Sequence, residues 1–212
     1  MAIQKTEALL LKKRDLRETS LILSFYTRDF GKIHGILKGA RGSRARNTTK
    51  PLFFSLDNVV FYESKRDIFT ISQCEAEKLF LNILKDWDRL SIAYYILELV
   101  DMFTEPGEKD EAIFESLLKA ITSLDEKKEP RSIARLFEIN LLKCIGLWAG
   151  SEDKNVSKGA MSTLLCYENE SWLTSAKIKL SRDIEKEIST ITKEIITNNI
   201  HRPLKTLKMI EG

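Results

Sequence analysis

Near residue 78 the apolar residues of this chain change period, from about two to about 3.6, which is the difference between the two faces of a strand and the stripe of a helix. Before that point residues 6–75 read as short alternating or apolar runs broken by polar, glycine-containing punctuation. Residues 6–13, 20–27, 32–38, 56–63 and 68–74 are predicted strands, rich in β-branched and aromatic side chains such as Val59, Val60, Phe61 and Tyr62. In the last of them Phe69 and Ile71 alternate with Thr70 and Ser72. Five strands in so short a stretch fit a small barrel. Residues 28–31 and 64–67 supply turn chemistry for two hairpins, and residues 39–52, with two glycines, no acid and Pro51, read as an exposed loop.

After residue 78 the pattern is helical. Ile113, Leu117, Ala120, Ile121 and Leu124 share one face, as do Ile133, Leu136, Phe137, Leu141, Cys144 and Ile145. Glu105-Pro106-Gly107 ends an earlier helix over residues 90–103, and Pro130 opens another at the position that tolerates its missing N–H. A last helix is predicted over residues 182–198, with Ile184, Ile188, Ile191 and Ile195 along its buried side. Residues 146–179, rich in Ser, Asn and Lys, give no clear period. The expected fold class is α+β in two domains: residues 1–77 a five-stranded barrel, and residues 78–212 all-helical with an irregular segment near 148–180.

The net charge of +3 is unevenly divided. Residues 1–77 hold 14 Lys and Arg against 9 Asp and Glu, while residues 78–212 hold 20 against 22. A polyanionic partner is therefore expected on the barrel. The densest feature runs from Lys38 through Gly39, Arg41, Gly42, Arg44 and Arg46 to Lys50, five cations in thirteen residues with no acid. Such a segment can follow a phosphate backbone, its glycines allowing close approach and each Arg pairing bidentately with phosphate oxygens. The plainer alternative is a solvated charged loop. Lys12, Lys13, Arg14 and Arg17 sit at the end of the first strand and in the turn after it, and Arg28 and Lys32 flank the next hairpin. The candidate phosphate-contacting residues are Lys12, Arg14, Arg17, Arg28, Lys32, Lys38, Arg41, Arg44, Arg46 and Lys50. Phe25, Tyr26, Phe53, Phe54, Phe61, Tyr62 and Phe69 are the aromatics that either stack on bases or fill the barrel, with most expected in the core.

Catalytic patterns are thin. His34 lies in a predicted strand and His201 beyond the last helix, neither beside a Ser or Cys nucleophile pattern. Gly31, Gly35, Gly39 and Gly42 match neither a phosphate-binding loop nor a dinucleotide fingerprint. The acids at 110–111 and at Asp183, Glu185 and Glu187 fall where they complement helix dipoles. Cys74, Cys144 and Cys166 are odd in number and widely spaced, so they read as small buried hydrophobes of a reducing compartment, with no zinc spacing. No apolar run reaches the ~20 residues that span a bilayer. The expectation is a cytoplasmic protein that uses no cofactor and touches no membrane.

The N-terminal half resembles the RecO family of bacterial recombination mediators. The resemblance is carried by Thr6-Glu7-Ala8-Leu9-Leu10-Leu11, Arg17-Glu18-Thr19-Ser20-Leu21-Ile22-Leu23, Phe25-Tyr26-Thr27-Arg28-Asp29-Phe30-Gly31-Lys32 and Gly35-Ile36-Leu37-Lys38-Gly39-Ala40-Arg41, in that order. Weaker similarity covers Phe137-Glu138-Ile139-Asn140-Leu141-Leu142, Ile145-Gly146-Leu147 and Arg202-Pro203-Leu204-Lys205-Thr206. The resemblance implies an OB-fold that binds single- and double-stranded DNA and a helical domain that contacts protein partners. It further implies annealing of complementary strands and, with RecR, loading of RecA onto DNA covered by single-strand-binding protein, without catalysis. Lys38 and Arg41 lie within the matched motif, whereas Arg44, Arg46 and Lys50 rest on charge alone. Many relatives carry a four-cysteine zinc site after the position of Gly146-Leu147, where this chain has only Cys166. The alternative function is a non-catalytic adaptor whose helical domain binds partners while the barrel is a scaffold.

Overall fold

The computed structural model describes residues 2–40, 51–62, 68–151 and 155–210. The predicted turn at 64–67 and most of the predicted loop, including Arg41, Arg44, Arg46 and Lys50, lie outside the described residues. Five strands form a closed barrel in the order β1-β2-β3-β5-β4: β1 (Ile3–Leu16), β2 (Ser20–Thr27), β3 (Gly31–Leu37), β4 (Ser55–Tyr62) and β5 (Phe69–Leu79). All pairings are antiparallel except the short β3–β5 closure, Gly35 opposite Phe69 through Leu37 opposite Ile71. This is the OB-type barrel expected from the strand count and the resemblance. Seven helices follow among the described residues: α1 (Trp87–Phe103), α2 (Glu111–Asp125), α3 (Pro130–Cys144), α4 (Lys158–Asn169), α5 (Trp172–Ser175), α6 (Arg182–Asn198) and α7 (Leu207–Ile210).

Two compact units result, Met1–Leu81 with Val100–Phe114, and Asn82–Leu99 with Glu115–Gly212. The first is a barrel with a second layer. Its interior is filled by Ala8, Leu10, Leu23, Phe25, Ile33, Val59, Phe61 and Ile71, all at most 2% exposed, and burying each large side chain stabilises the fold by about 1.5–3 kcal/mol. β1 buries both of its faces over Ala8, Leu9, Leu10 and Leu11. Leu9 is paired with Tyr26 on the outer face, where the Tyr26 hydroxyl donates to the Asp110 carbonyl at 3.3 Å. Gly31 takes φ +61, and a Cβ there would meet the Glu108 backbone, so the layer of residues 100–114 packs directly on the start of β3.

One inward position of β4 carries a carboxyl group. Asp57 alternates with Val59 and Phe61, is 1% exposed, and leaves its Oδ2 without a hydrogen-bond partner. Burial pushes its carboxyl above the usual carboxylate range, against hydrogen bonds from Ser55 and Cys74.

In the second unit α3, α4 and α6 pack on one another. The α2 stripe is buried as the 3.6 period predicts. α3 opens at Pro130, with the Glu129 carboxylate capping the N–H groups of Arg131 and Ser132. Its polar side is buried as well, which periodicity did not foresee. Glu138, 0% exposed, accepts from the Tyr95 hydroxyl at 2.6 Å, the Thr192 hydroxyl at 2.6 Å and the Arg135 guanidinium at 2.9 Å. The buried face of α6 accordingly centres on Ile188, Thr192 and Ile196, while Ile184, Ile191 and Ile195 flank it half-buried. Cys144 and Ile145 are also only partly buried, as is Cys166; of the three thiols only Cys74 is a core residue. The segment without a clear period contains α4 and α5, and Glu168 ties it down. That carboxylate accepts from the Trp148 indole N–H at 2.7 Å and the Ser151 hydroxyl at 3.1 Å.

Two stability predictions follow from these buried acids. Glu138→Ala leaves the Arg135 guanidinium buried with one partner fewer and is expected to cost about 3–5 kcal/mol in urea unfolding. Asp57 contributes native stability that is complete below its ordinary pKa of about 4 and is lost as pH rises through its raised folded pKa. Asp57→Asn is therefore expected to raise the thermal midpoint at pH 7–8 and to lose that advantage near pH 4, as read by thermal melts across pH.

Candidate nucleic-acid interface

The ten candidate cations divide by position in the barrel. Leu16 pairs with Ser20, Asp15 with Leu21, and Leu21 with Leu37, so the C-terminal ends of β1 and β3 and the β1–β2 turn meet at one end of the sheet. Arg14, Arg17 and Lys38 are all exposed there. Arg28 and Lys32 lie around the β2–β3 turn at the opposite end, where Thr27 pairs with Gly31. The length of β2 separates the two groups by about 23 Å at ~3.3 Å per residue.

The far group is committed to internal partners. Lys32 is 6% exposed, its ammonium donating to the Asp101 carbonyl at 2.8 Å with the Asp101 carboxylate at 3.9 Å. Lys12, on the same outer face, reaches the other oxygen of that carboxylate at 3.5 Å. Arg28 donates from Nε to Glu7 at 2.6 Å, lies 3.8 Å from Glu111 and stacks over the Phe114 ring at 4.5 Å. His34 lies beside this group. Burial first, then the Lys32 and Lys12 ammonium groups, hold its imidazole below the ordinary range against the pull of Asp101, so it adds no cation at neutral pH.

The near end is built differently. β1 pairs with β4 only as far as Leu9 opposite Leu56, and its remaining residues continue as a ribbon with β2. Lys13 pairs with Leu23, a residue of the barrel interior, so it stands at the barrel mouth on the inward side. Its ammonium lies 3.4 Å from the Pro51 carbonyl and 5.5 Å from the centre of the Phe53 ring. Ala40 is fully buried in the same core. Both flanks of residues 41–50, Ala40 and Pro51, thus sit at the end that presents Lys13, Arg14, Arg17 and Lys38. Two exposed acids, Asp15 and Glu18, share it.

Of the seven candidate stacking aromatics, Phe25, Tyr26, Phe54 and Phe61 are at most 3% exposed and belong to the core. Phe53, Tyr62 and Phe69 remain partly exposed. Sequence reasoning placed Lys13 at this end but could not show its pairing with Phe53. It had no means of finding Asp101 as the partner of Lys12 and Lys32, because the carboxylate lies 69 residues beyond Lys32 in the chain. Among the described residues no group of three or more His, Cys, Asp or Glu is placed to hold a metal ion, and none of the described helices is long and apolar enough to cross a membrane.

A family model described as "Recombination protein O N terminal" matches residues 1–80, and one described as "Recombination protein O C terminal" matches residues 84–148. The DNA repair protein RecO of Moorella thermoacetica is 36% identical over 145 residues, which are 68% of this chain and 53% of that protein. The protein of the same name from Alkaliphilus metalliredigens is 34% identical over 144 residues, 68% of this chain and 58% of the relative. That from Caldicellulosiruptor bescii is 30% identical over 199 residues, 90% of this chain and 78% of the relative. The matched region thus spans little more than half the length of the first two curated relatives.

The two groups of cations should respond differently to substitution. Lys32→Met removes one of the ammonium groups that neutralise Asp101 and is expected to lower stability by about 1–3 kcal/mol. Arg14→Ala, at an exposed position, is expected to change it by less than about 0.5 kcal/mol. Chemical denaturation of the two variants beside the parent protein checks both.

Proposed function

The chain belongs to the recombination protein O (RecO) family, and on that premise we propose that it is a DNA-binding repair and recombination mediator that acts by binding and not by catalysis. In this reading the barrel end neutralises backbone phosphates of single- and double-stranded DNA, so that two complementary strands are held together without mutual repulsion and anneal. With RecR it helps load RecA onto single strands covered by single-strand-binding protein, in the cytoplasm. The observation that carries the proposal is the convergence of Lys13, Arg14, Arg17 and Lys38 on one end of an OB-type barrel, at the two flanks of an acid-free segment. That segment holds Arg41, Arg44, Arg46 and Lys50.

Charge density of this kind gives affinity without sequence preference, as annealing of arbitrary strands requires. Contact with proteins is assigned to the helical unit, where Leu84, Trp87 and Leu173 are 56%, 63% and 78% exposed. The same exposure favours the adaptor as the second reading, with the barrel as scaffold.

Fluorescence anisotropy with a labelled oligonucleotide across a salt series separates the two. For about five neutralised phosphates on a single strand the logarithmic salt slope is expected near −3.5, at ~0.7 per contact. Combined substitution of Arg41, Arg44 and Arg46 by Ala is expected to weaken binding and flatten the slope by about 2, while Lys32→Met leaves the slope unchanged. Absence of wild-type binding at low salt would exclude the mediator and leave the adaptor.

A further inference from the structure

We propose that Phe53 is a stacking platform for one unpaired base, and that Lys13 exchanges its place over the ring for a phosphate when that base arrives. The inference rests on the DNA-binding reading and deepens it, because it names which strands the barrel end prefers.

Three features converge on this residue. Phe53 is the one candidate aromatic that is both partly exposed and shown beside a cation of the phosphate-binding end, whereas Phe69 turns its ring onto Phe61 at 5.1 Å. Its position is held by the backbone. Phe54 adopts φ +61 and is 3% exposed, so the chain accepts a left-handed residue in order to drive Phe54 into the core, with the Phe53 ring tilted 46° to it at 6.2 Å. Among the described residues only Arg17, Phe54 and Lys127 are non-glycines with positive φ, and two of the three lie at this end. Such strain persists only where surrounding packing over-determines it. Phe53 itself packs against the barrel core, which gives it a fixed orientation without burying it.

The third feature is the Lys13 ammonium, 5.5 Å from the ring centre. A cation is attracted to the negative π-face of an aromatic ring, so its position marks the face that small groups reach. A base uses the same face, since stacking needs only a flat π-surface and tolerates any sequence. The base carries a phosphate with it. The ammonium, which also approaches the Pro51 carbonyl at 3.4 Å, then has a full negative charge within the reach of its four-carbon stem and exchanges the weaker ring contact for a charge pair. Bases in a duplex are stacked on their neighbours, so this contact is open only to single strands. Phosphate contacts from Arg14, Arg17 and Lys38 are available to both forms.

The test compares single-stranded and duplex oligonucleotides of one sequence by anisotropy over a salt series. Phe53→Leu keeps an apolar side chain against the core and is expected to weaken single-strand binding about tenfold, with duplex affinity and the salt slope unchanged. Phe53→Trp is expected to retain the single-strand preference and to show fluorescence quenching by the oligonucleotide beyond that of the parent protein's own tryptophans. Lys13→Gln is expected to flatten the single-strand slope by about 0.7. Equal single-strand affinity of Phe53→Leu and the parent, no added quenching in Phe53→Trp, or an unchanged slope in Lys13→Gln would each overturn the exchange while leaving DNA binding intact. A parent protein that binds neither form at low salt would overturn the DNA-binding reading together with the platform.

Discussion

The charge distribution over the barrel depends on one partly buried carboxylate. Asp101 receives Lys12 and Lys32 on its two oxygens, and its own carbonyl takes a hydrogen bond from the Lys32 ammonium. Lys32 and Asp101, whose side chains are 7% and 12% exposed, stabilise each other because each alone would carry an uncompensated desolvation cost, and Lys12 joins them from a more exposed position. Their mutual satisfaction fastens residues 100–114 to the outer face of β1, β2 and β3. It also takes Lys32 out of solvent and engages Lys12 in an ion pair. Arg28 is likewise paired, with Glu7 and Glu111. At the other end of the strands Arg14, Arg17 and Lys38 are exposed.

The helical unit uses buried charge in a related way. α3 packs against both α4 and α6, and Arg135 and Glu138 on it are buried. Arg135 and Glu138, one turn apart, pair with each other and collect Tyr95, Ser189 and Thr192, with Glu185 3.6 Å from the Arg135 Nε. Geometry of this quality is needed for a buried pair to hold a fold in one register. Glu168 organises the next part of the chain by the same principle, with an indole N–H and a hydroxyl on its two carboxylate oxygens. These two donors tie α4 to Trp148 and Ser151.

Strand positions were legible because alternation needs only local residues, and the helices at 111–125, 130–144 and 182–198 because their caps and apolar spacing are local too. The strand limits shifted where pairing outran the apolar pattern. β1 continues to Leu16 and β5 to Leu79, both through charged residues that satisfy backbone hydrogen bonds regardless of their side chains. The inward set of α6 moved by one residue because Thr192 has a carboxylate to donate to, which no hydrophobicity pattern encodes. The α4 helix was illegible for the converse reason, being stabilised by Glu168, Ser157 and the groove of α3 and α6 more than by its own amphipathicity.

By itself the sequence determined the α+β class, the five strands, the division of charge and the family, since each depends on residue type and spacing along the chain. The tertiary structure alone decided which cations remain available. Lys32 and Lys38 are six residues apart in one basic stretch and equivalent by charge counting, yet one is buried against Asp101 and the other exposed. The difference is made by a carboxylate far away in the chain, and by the second layer that carries it. Electrostatic energy depends on distance in space and on access to water, and neither can be read from the order of residues.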